Sequence, residues 1–170
     1  KSSLMITLIN YGSGNIQAII NIYKLLNIPI KVAQTAQELA GAEKIILPGV
    51  GSFDWSISRL ESSGMRSSLD NLVLNNGCPI LGICVGMQMM ANRSEEGILP
   101  GLGWFDAEVR HFNETDVHQK FSCPHMGWND VLSIEKDTLF KKLDFPRFYF
   151  LHSYYFTIED STQVLSTTNY

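Results

Sequence analysis

Long hydrophobic runs are missing from this chain of 170 residues: none approaches the roughly 20 apolar residues that a bilayer crossing requires. The opening stretch, KSSLMITLIN, also lacks the extended apolar core of a secretion signal. Basic residues are scarce, with 13 Lys and Arg against 17 Asp and Glu, and a formal charge of -4 offers no surface to hold phosphodiester or an anionic bilayer. Neither nucleic acid nor membrane is expected as a partner, and a cytoplasmic setting is. The three cysteines, Cys78, Cys84 and Cys123, contain no CxxC pair, which argues against a disulfide framework or a zinc knuckle. His111, His118, His125 and His152 show no HExxH-like spacing, so neither a metal nor a cofactor is expected. Repeats, low-complexity tracts and linkers are absent as well, which leaves one domain over residues 1–170. Lys1 to Leu4 precede Met5, a candidate native start.

The pattern that is present alternates strand and helix. MITLIN (5–10) reads as a strand, YGSG as a turn, and NIQAIINIYKLLN as a helix with Ile16, Ile19, Ile20 and Tyr23 on one face. IPIKVA (28–33) and KIILPG (44–49) give two more strands around a short AQELAG helix. A helical stretch from Ser52 to about Asn76, broken near Gly64, precedes a fourth strand at PILGI. Such alternation predicts an α/β fold with a mostly parallel central sheet flanked by helices. After Arg93 the grammar changes: FDAEVRHF, WNDVLSI, RFYFLHSYYF and TQVLSTTN read as strands, β-rich additions to the sheet in the second half.

The chemistry concentrates in PILGICVGMQ. Gly-Ile-Cys-Val-Gly after a strand and before the helical run VGMQMMANR fits a nucleophile elbow, where a tight turn lifts one side chain above the carboxyl edge of the sheet. Gly82 and Gly86 allow strand and helix to approach closely around Cys84, whose thiol would face a helix N-terminus that favours thiolate. The bland alternative is a small buried hydrophobe, the reading given to Cys78 and Cys123. A thiolate attacking a carbonyl needs oxyanion donors. The Val85 N–H follows the nucleophile directly, and the loop LPGVGSF (47–53) can turn the N–H groups of Val50 and Gly51 to the same edge, unless it is only a strand-to-helix turn.

Together NYGSGN, LPGVGSF, GICVGMQ, SEEG (94–97), PHMGWN and YFLHSYY resemble the glutamine amidotransferase subunits of imidazole glycerol phosphate synthase. These are cysteine-dependent class I amidotransferases with a flavodoxin-like fold, and the resemblance spans nearly the whole chain. It implies that Cys84 attacks the side-chain amide of glutamine and that ammonia passes to a (β/α)8-barrel cyclase in a heterodimer of histidine biosynthesis. Gly49, Gln88 and Glu96 match family positions that hold the substrate, and Ser153 and Tyr154 the segment that closes over it. Asn15, His125 and Trp128 match positions at or near the partner interface. Four of these also have a plainer reading: Gln88 as a polar helix position, Glu96 as a solvated loop acid, and Tyr154 and Trp128 as core residues.

The family's base, a histidine in a Phe-His-Pro-Glu-like segment, has no match in this sequence, which reads as one amidotransferase domain lacking its C-terminal end. His152 is the nearest substitute, although a structural or substrate-edge role suits it better. The 170 residues are therefore expected to have negligible glutaminase activity. Alternatives are a paralogue supplying ammonia for surface-polysaccharide sugar amination, a non-catalytic truncated subunit, and a cysteine hydrolase on the same elbow.

Overall fold

A computed structural model describes residues 5–112, 123–133, 139–141 and 143–170. Lys1 to Leu4, His118 and the final Ile134 of WNDVLSI lie outside the described residues. The first half follows the strand-helix alternation read from the sequence. Strands β1 (Ile6–Ile9), β2 (Ile30–Ala33), β3 (Lys44–Leu47) and β4 (Ile80–Gly82) form one parallel sheet in the order β2-β1-β3-β4. Because the chain leaves β1 first to one side and later returns to the other, the loops after β1 and β3 separate above the carboxyl edge, where such sheets bind ligands.

Helices α1 (Ile16–Leu25), α2 (Ala36–Leu39), α3 (Phe53–Ser62) and α4 (Arg66–Asp70) connect these strands, and α4 runs on into a π-helical turn at Asn71–Asn75. The break expected near Gly64 is present, with that glycine at φ +71°. Ile9, Ile45 and Leu47 of the sheet pack with Phe53, Ile57, Leu60, Met65 and Leu69 into the main core. Helix α1 differs: Ile16, Ile19, Ile20 and Tyr23 are half-buried, none of its residues is fully buried, and Ile22 and Leu25 are exposed.

The run VGMQMMANR was expected to be helical throughout, but α5 spans only Val85–Gln88. Carbonyls that would continue it are taken by a returning loop: Leu102 N–H donates to Met89 O, Trp104 N–H to Met90 O and Gly103 N–H to Ala91 O. A helix this short carries little macrodipole.

The second half is β-rich, yet its strands do not extend the parallel sheet. They are β5 (Arg93–Ser94), β6 (Ala107–His111), β7 (His125–Asp130), β8 (Leu132–Ser133), β9 (Arg147–His152), β10 (Tyr154–Ile158) and β11 (Ser166–Thr167). They pair as β10-β6-β5, β7-β9 and β11-β8, all antiparallel except β5 with β6. RFYFLHSYYF is thus two strands in two sheets, parted at Ser153. TQVLSTTN contributes only β11 after a short 3-10 turn.

Candidate active site

Cys84 ends the turn after β4 with φ 56° and ψ -122°, a conformation that costs an L-residue of order 1–3 kcal/mol. Flanking glycines make it possible. A Cβ on Gly82 would sit 2.6 Å from Met87 Cα, and one on Gly86 would collide with Leu47 O and come within 2.9 Å of Pro48 C. Gly49 is equally confined, since its Cβ would strike Gly86 N. Strand β3, the loop after it and α5 therefore touch backbone to backbone. Tyr11 secures the junction from β1, its buried hydroxyl donating to Pro48 O at 2.6 Å beside Met89 Sδ at 3.4 Å.

The thiol of Cys84 is exposed and borders an open groove of about 520 Å³ lined by Asn15, Ala18, Ile19, Ile22, Val50 and Ile83 among others. Asn15 caps α1, accepting from Ala18 N–H at 3.1 Å. Cys78, by contrast, is buried with its thiol donating to Ala42 O at 3.3 Å, and burial pushes its pKa up. Cys123 is half-buried, 3.8 Å from His111 Nε2.

Of the three candidate oxyanion donors, Val85 stands at the first turn of α5, where N–H groups have no intrahelical partner. Gly51 has φ +94°, a conformation suited to glycine. Val50 departs from expectation: its N–H donates to Ser13 Oγ at 3.0 Å, and the same hydroxyl lies 3.1 Å from Val50 O. The Val50 N–H is thus already occupied. Ser13 is 2% exposed and also lies 3.4 Å from Ser56 Oγ. Sequence reading missed it, although it sits in NYGSGN, because its partner is 37 residues away.

Gln88 lies one turn past Cys84, is 8% exposed, and donates through Nε2 to Tyr154 O over 3.4 Å. Glu96 is half-buried, and its Oε2 accepts from Phe53 N–H, the first amide of α3, at 2.8 Å. Asp54 ties the following backbone, accepting from Ile98 N–H and Leu99 N–H at 3.0 and 3.1 Å. The Tyr154 phenol has its pKa raised by burial first and then by the negative charge of Glu96. Tyr154 is half-buried, and Ser153 is the residue between β9 and β10. The structure thus gathers Cys84, Gly49, Val50, Gly51, Gln88, Glu96 and Tyr154 around one edge of the sheet.

The interface candidates separate. Trp128 is 61% exposed, which removes the core reading. With Met126, Tyr149 and Leu151 it forms one face of the β7-β9 ribbon, all four exposed, through the pairs Met126 with Leu151 and Trp128 with Tyr149. The His125 ring lies on the opposite face of the ribbon, 2% exposed under Phe150 and Tyr170. No described histidine hydrogen-bonds the Cys84 thiol. His152 is engaged on both ring nitrogens, by Tyr154 O and by His125, so it does not offer a free base. Among the described residues no cluster of His, Cys, Asp and Glu could hold a metal ion, and no helix is long and apolar enough to cross a membrane.

Known proteins bear on this arrangement at two levels. The family described as glutamine amidotransferase class-I matches residues 7–169. The imidazole glycerol phosphate synthase subunit HisH of Bdellovibrio bacteriovorus is 54% identical over 167 residues, covering 98% of this chain and 82% of the relative. The subunit of the same name from Leptospira borgpetersenii is 48% identical with the same coverage. A solved glutamine amidotransferase superposes with a TM-score of 0.70 at 17% identity, over 94% of this chain and 78% of that one, a likeness of fold. The chain belongs to the class I glutamine amidotransferases and, within them, to the HisH family of imidazole glycerol phosphate synthase subunits.

Proposed function

We propose that this chain is the glutaminase subunit of an imidazole glycerol phosphate synthase, hydrolysing L-glutamine to glutamate and ammonia for a cyclase partner in histidine biosynthesis. The observation that carries the reading is the elbow itself: an exposed thiol held at positive φ between glycines that no other residue can replace. In the reaction the Cys84 thiolate adds to the carboxamide carbon, ammonia departs with a proton, and water cleaves the thioester to glutamate and thiol. Gln88 Oε1 and Glu96 suit the substrate's ammonium, while Val85, Gly51 and a released Val50 N–H suit the oxyanion.

Ammonia freed into water would be protonated and lost as a nucleophile, so a docked (β/α)8-barrel cyclase and a heterodimer are part of the proposal. The exposed face of Met126, Trp128, Tyr149 and Leu151 supports it, with apolar and aromatic side chains typical of an interface core. The test is to mix the complete protein with its candidate cyclase and measure association and glutamate release. Association and turnover with the cyclase are expected. Preference for a sugar-nucleotide synthase would establish the polysaccharide paralogue, and binding without turnover a non-catalytic subunit. The 170 residues alone are expected to release little glutamate, because the described histidines are bonded elsewhere. Turnover abolished by Cys84→Ala would show that another base serves.

Ser13 makes the LPGVGSF loop a switch in this proposal. While the hydroxyl holds Val50 N–H, one oxyanion donor is withheld, a factor of about 10²–10³ in other enzymes. Ser13→Ala is expected to raise glutaminase activity of the complete protein without partner by about tenfold or more, with less effect on the complex. Equal rates in wild type with and without a loaded partner would remove the switch.

A further inference from the structure

Helix α3 starts at Phe53, where the LPGVGSF loop ends, and its local cap is missing: Ser52 stands at the N-cap position, yet its side chain accepts nothing from the helix. The first amide is taken instead by Glu96, 43 residues on, whose Oε2 accepts from Phe53 N–H at 2.8 Å. The next residue of the helix returns the contact. Asp54 Oδ2 accepts from Ile98 N–H at 3.0 Å, and Oδ1 accepts from Leu99 N–H at 3.1 Å. Two segments far apart in sequence thus cap each other, the carboxylate of the loop on the helix and that of the helix on the loop, with the reciprocity of a capping box.

Glu96 is held from both sides of the chain. Upstream, its own N–H donates to the hydroxyl of buried Ser94 at 3.1 Å, and Gly97 N–H reaches Ser94 O at 3.3 Å. Downstream, the anchor is Asp54. Ile98 is 94% exposed, so its side chain holds nothing in place, and among the described residues the Ile98 and Leu99 amides have no other acceptor. The Leu99 side chain reaches the margin of the main core, but the orientation of the two peptides before it rests on Asp54. Gly97 leaves room for this contact. A Cβ there would strike Asp54 Oδ1 and lie 2.9 Å from Oδ2.

Both Asp54 oxygens are therefore spent on backbone amides, whereas Glu96 Oε1 accepts no hydrogen bond among the described residues. Of the two carboxylates, only Glu96 keeps an oxygen for a ligand. Pinning Oε2 to Phe53 also confines Oε1 to a short arc, because the two oxygens share one rigid carboxylate plane. Resting on the proposed glutaminase reading, we propose that Asp54 is a positioning residue, which holds the 96–99 loop so that Glu96 Oε1 meets the ammonium group of glutamine. Without Asp54 the two loop amides turn to water and Glu96 is free to leave Phe53 N–H. The ammonium then loses a preorganised acceptor. Cys84 and Val85 belong to a separate segment, so the chemical step stays largely intact. Because Asp54 acts only through Glu96, its effect is confined to ligands that carry the α-ammonium.

The experiment uses the complete protein bound to its cyclase and compares glutamine with glutaramate, the same molecule without its α-ammonium. In Asp54→Ala, KM for glutamine is expected to rise about tenfold while kcat changes less than about threefold, as for lost ground-state binding. The inhibition constant of glutaramate against glutamine turnover is expected to change less than about twofold. Gly97→Ala pushes the same carboxylate aside with Asp54 still present and is expected to reproduce both results, which covers a failure of Asp54→Ala to fold. A glutaramate constant that weakens in step with the glutamine KM would make Asp54 a general support of the fold, and an unchanged KM would remove it from the site. Either result overturns the positioning role, while turnover and Cys84 alkylation in the wild type leave the glutaminase reading standing. Absence of both in the wild-type complex would overturn that reading and the positioning role with it.

Discussion

Replacing Cys84 by alanine is expected to lower glutamine turnover of the complete, partner-bound protein by about four orders of magnitude or more, the usual cost of deleting a covalent nucleophile. Fold and partner affinity should be little affected, because alanine keeps the Cβ that the positive φ already strains. A glutamine-mimicking alkylator should label position 84 in the wild type and nothing in the variant. Cys84→Gly separates chemistry from conformation: it is equally inactive but relieves the backbone, and is expected to stabilise the protein by about 1 kcal/mol. Residual turnover within about tenfold of wild type in Cys84→Ala would remove the cysteine from the mechanism.

The largest stability effect is expected at Gly86. An added Cβ there meets Leu47 O, Leu47 C and Pro48 C, all backbone, so no rotamer change can make room. Strand β3 would have to retreat, breaking the bond from Ile83 N–H to Leu47 O at 3.0 Å and the pairing of Leu47 with Gly82. Gly86→Ala is expected to cost about 4 kcal/mol or more, read from the urea midpoint of the complete protein. Gly41→Ala is the control. That glycine has φ +70° with open space around its Cβ position, so only the conformational penalty of about 1–2 kcal/mol applies. Equal costs at the two sites would mean that backbone contact is not what Gly86 protects.

The parallel half of the fold was legible because its signals are local: short apolar runs mark β1, β3 and β4, and glycine-boxed Cys84 marks the turn. What escaped depends on distant pairings. Met89, Met90 and Ala91 look helical until a loop twelve to fourteen residues on claims their carbonyls. Ser153 divides what reads as one strand because the segments on either side pair with β7 and β6. Nothing in NYGSGN announces that its serine reaches Val50, and two histidines 27 residues apart give no sign that they share a hydrogen bond. Candidate residues could thus be named from the sequence, whereas the hydrogen bonds that engage them could not.

Helix α1 forms one wall of the groove beside Cys84 and yet buries none of its own residues completely. Opening it exposes little new apolar surface, so its amides should exchange with deuterium through brief local fluctuations while those of β1 and β3 wait for global unfolding. One wall of the thiol's groove is therefore loosely anchored, and the exposed Ile22 and Leu25 do nothing within this chain to slow its breathing.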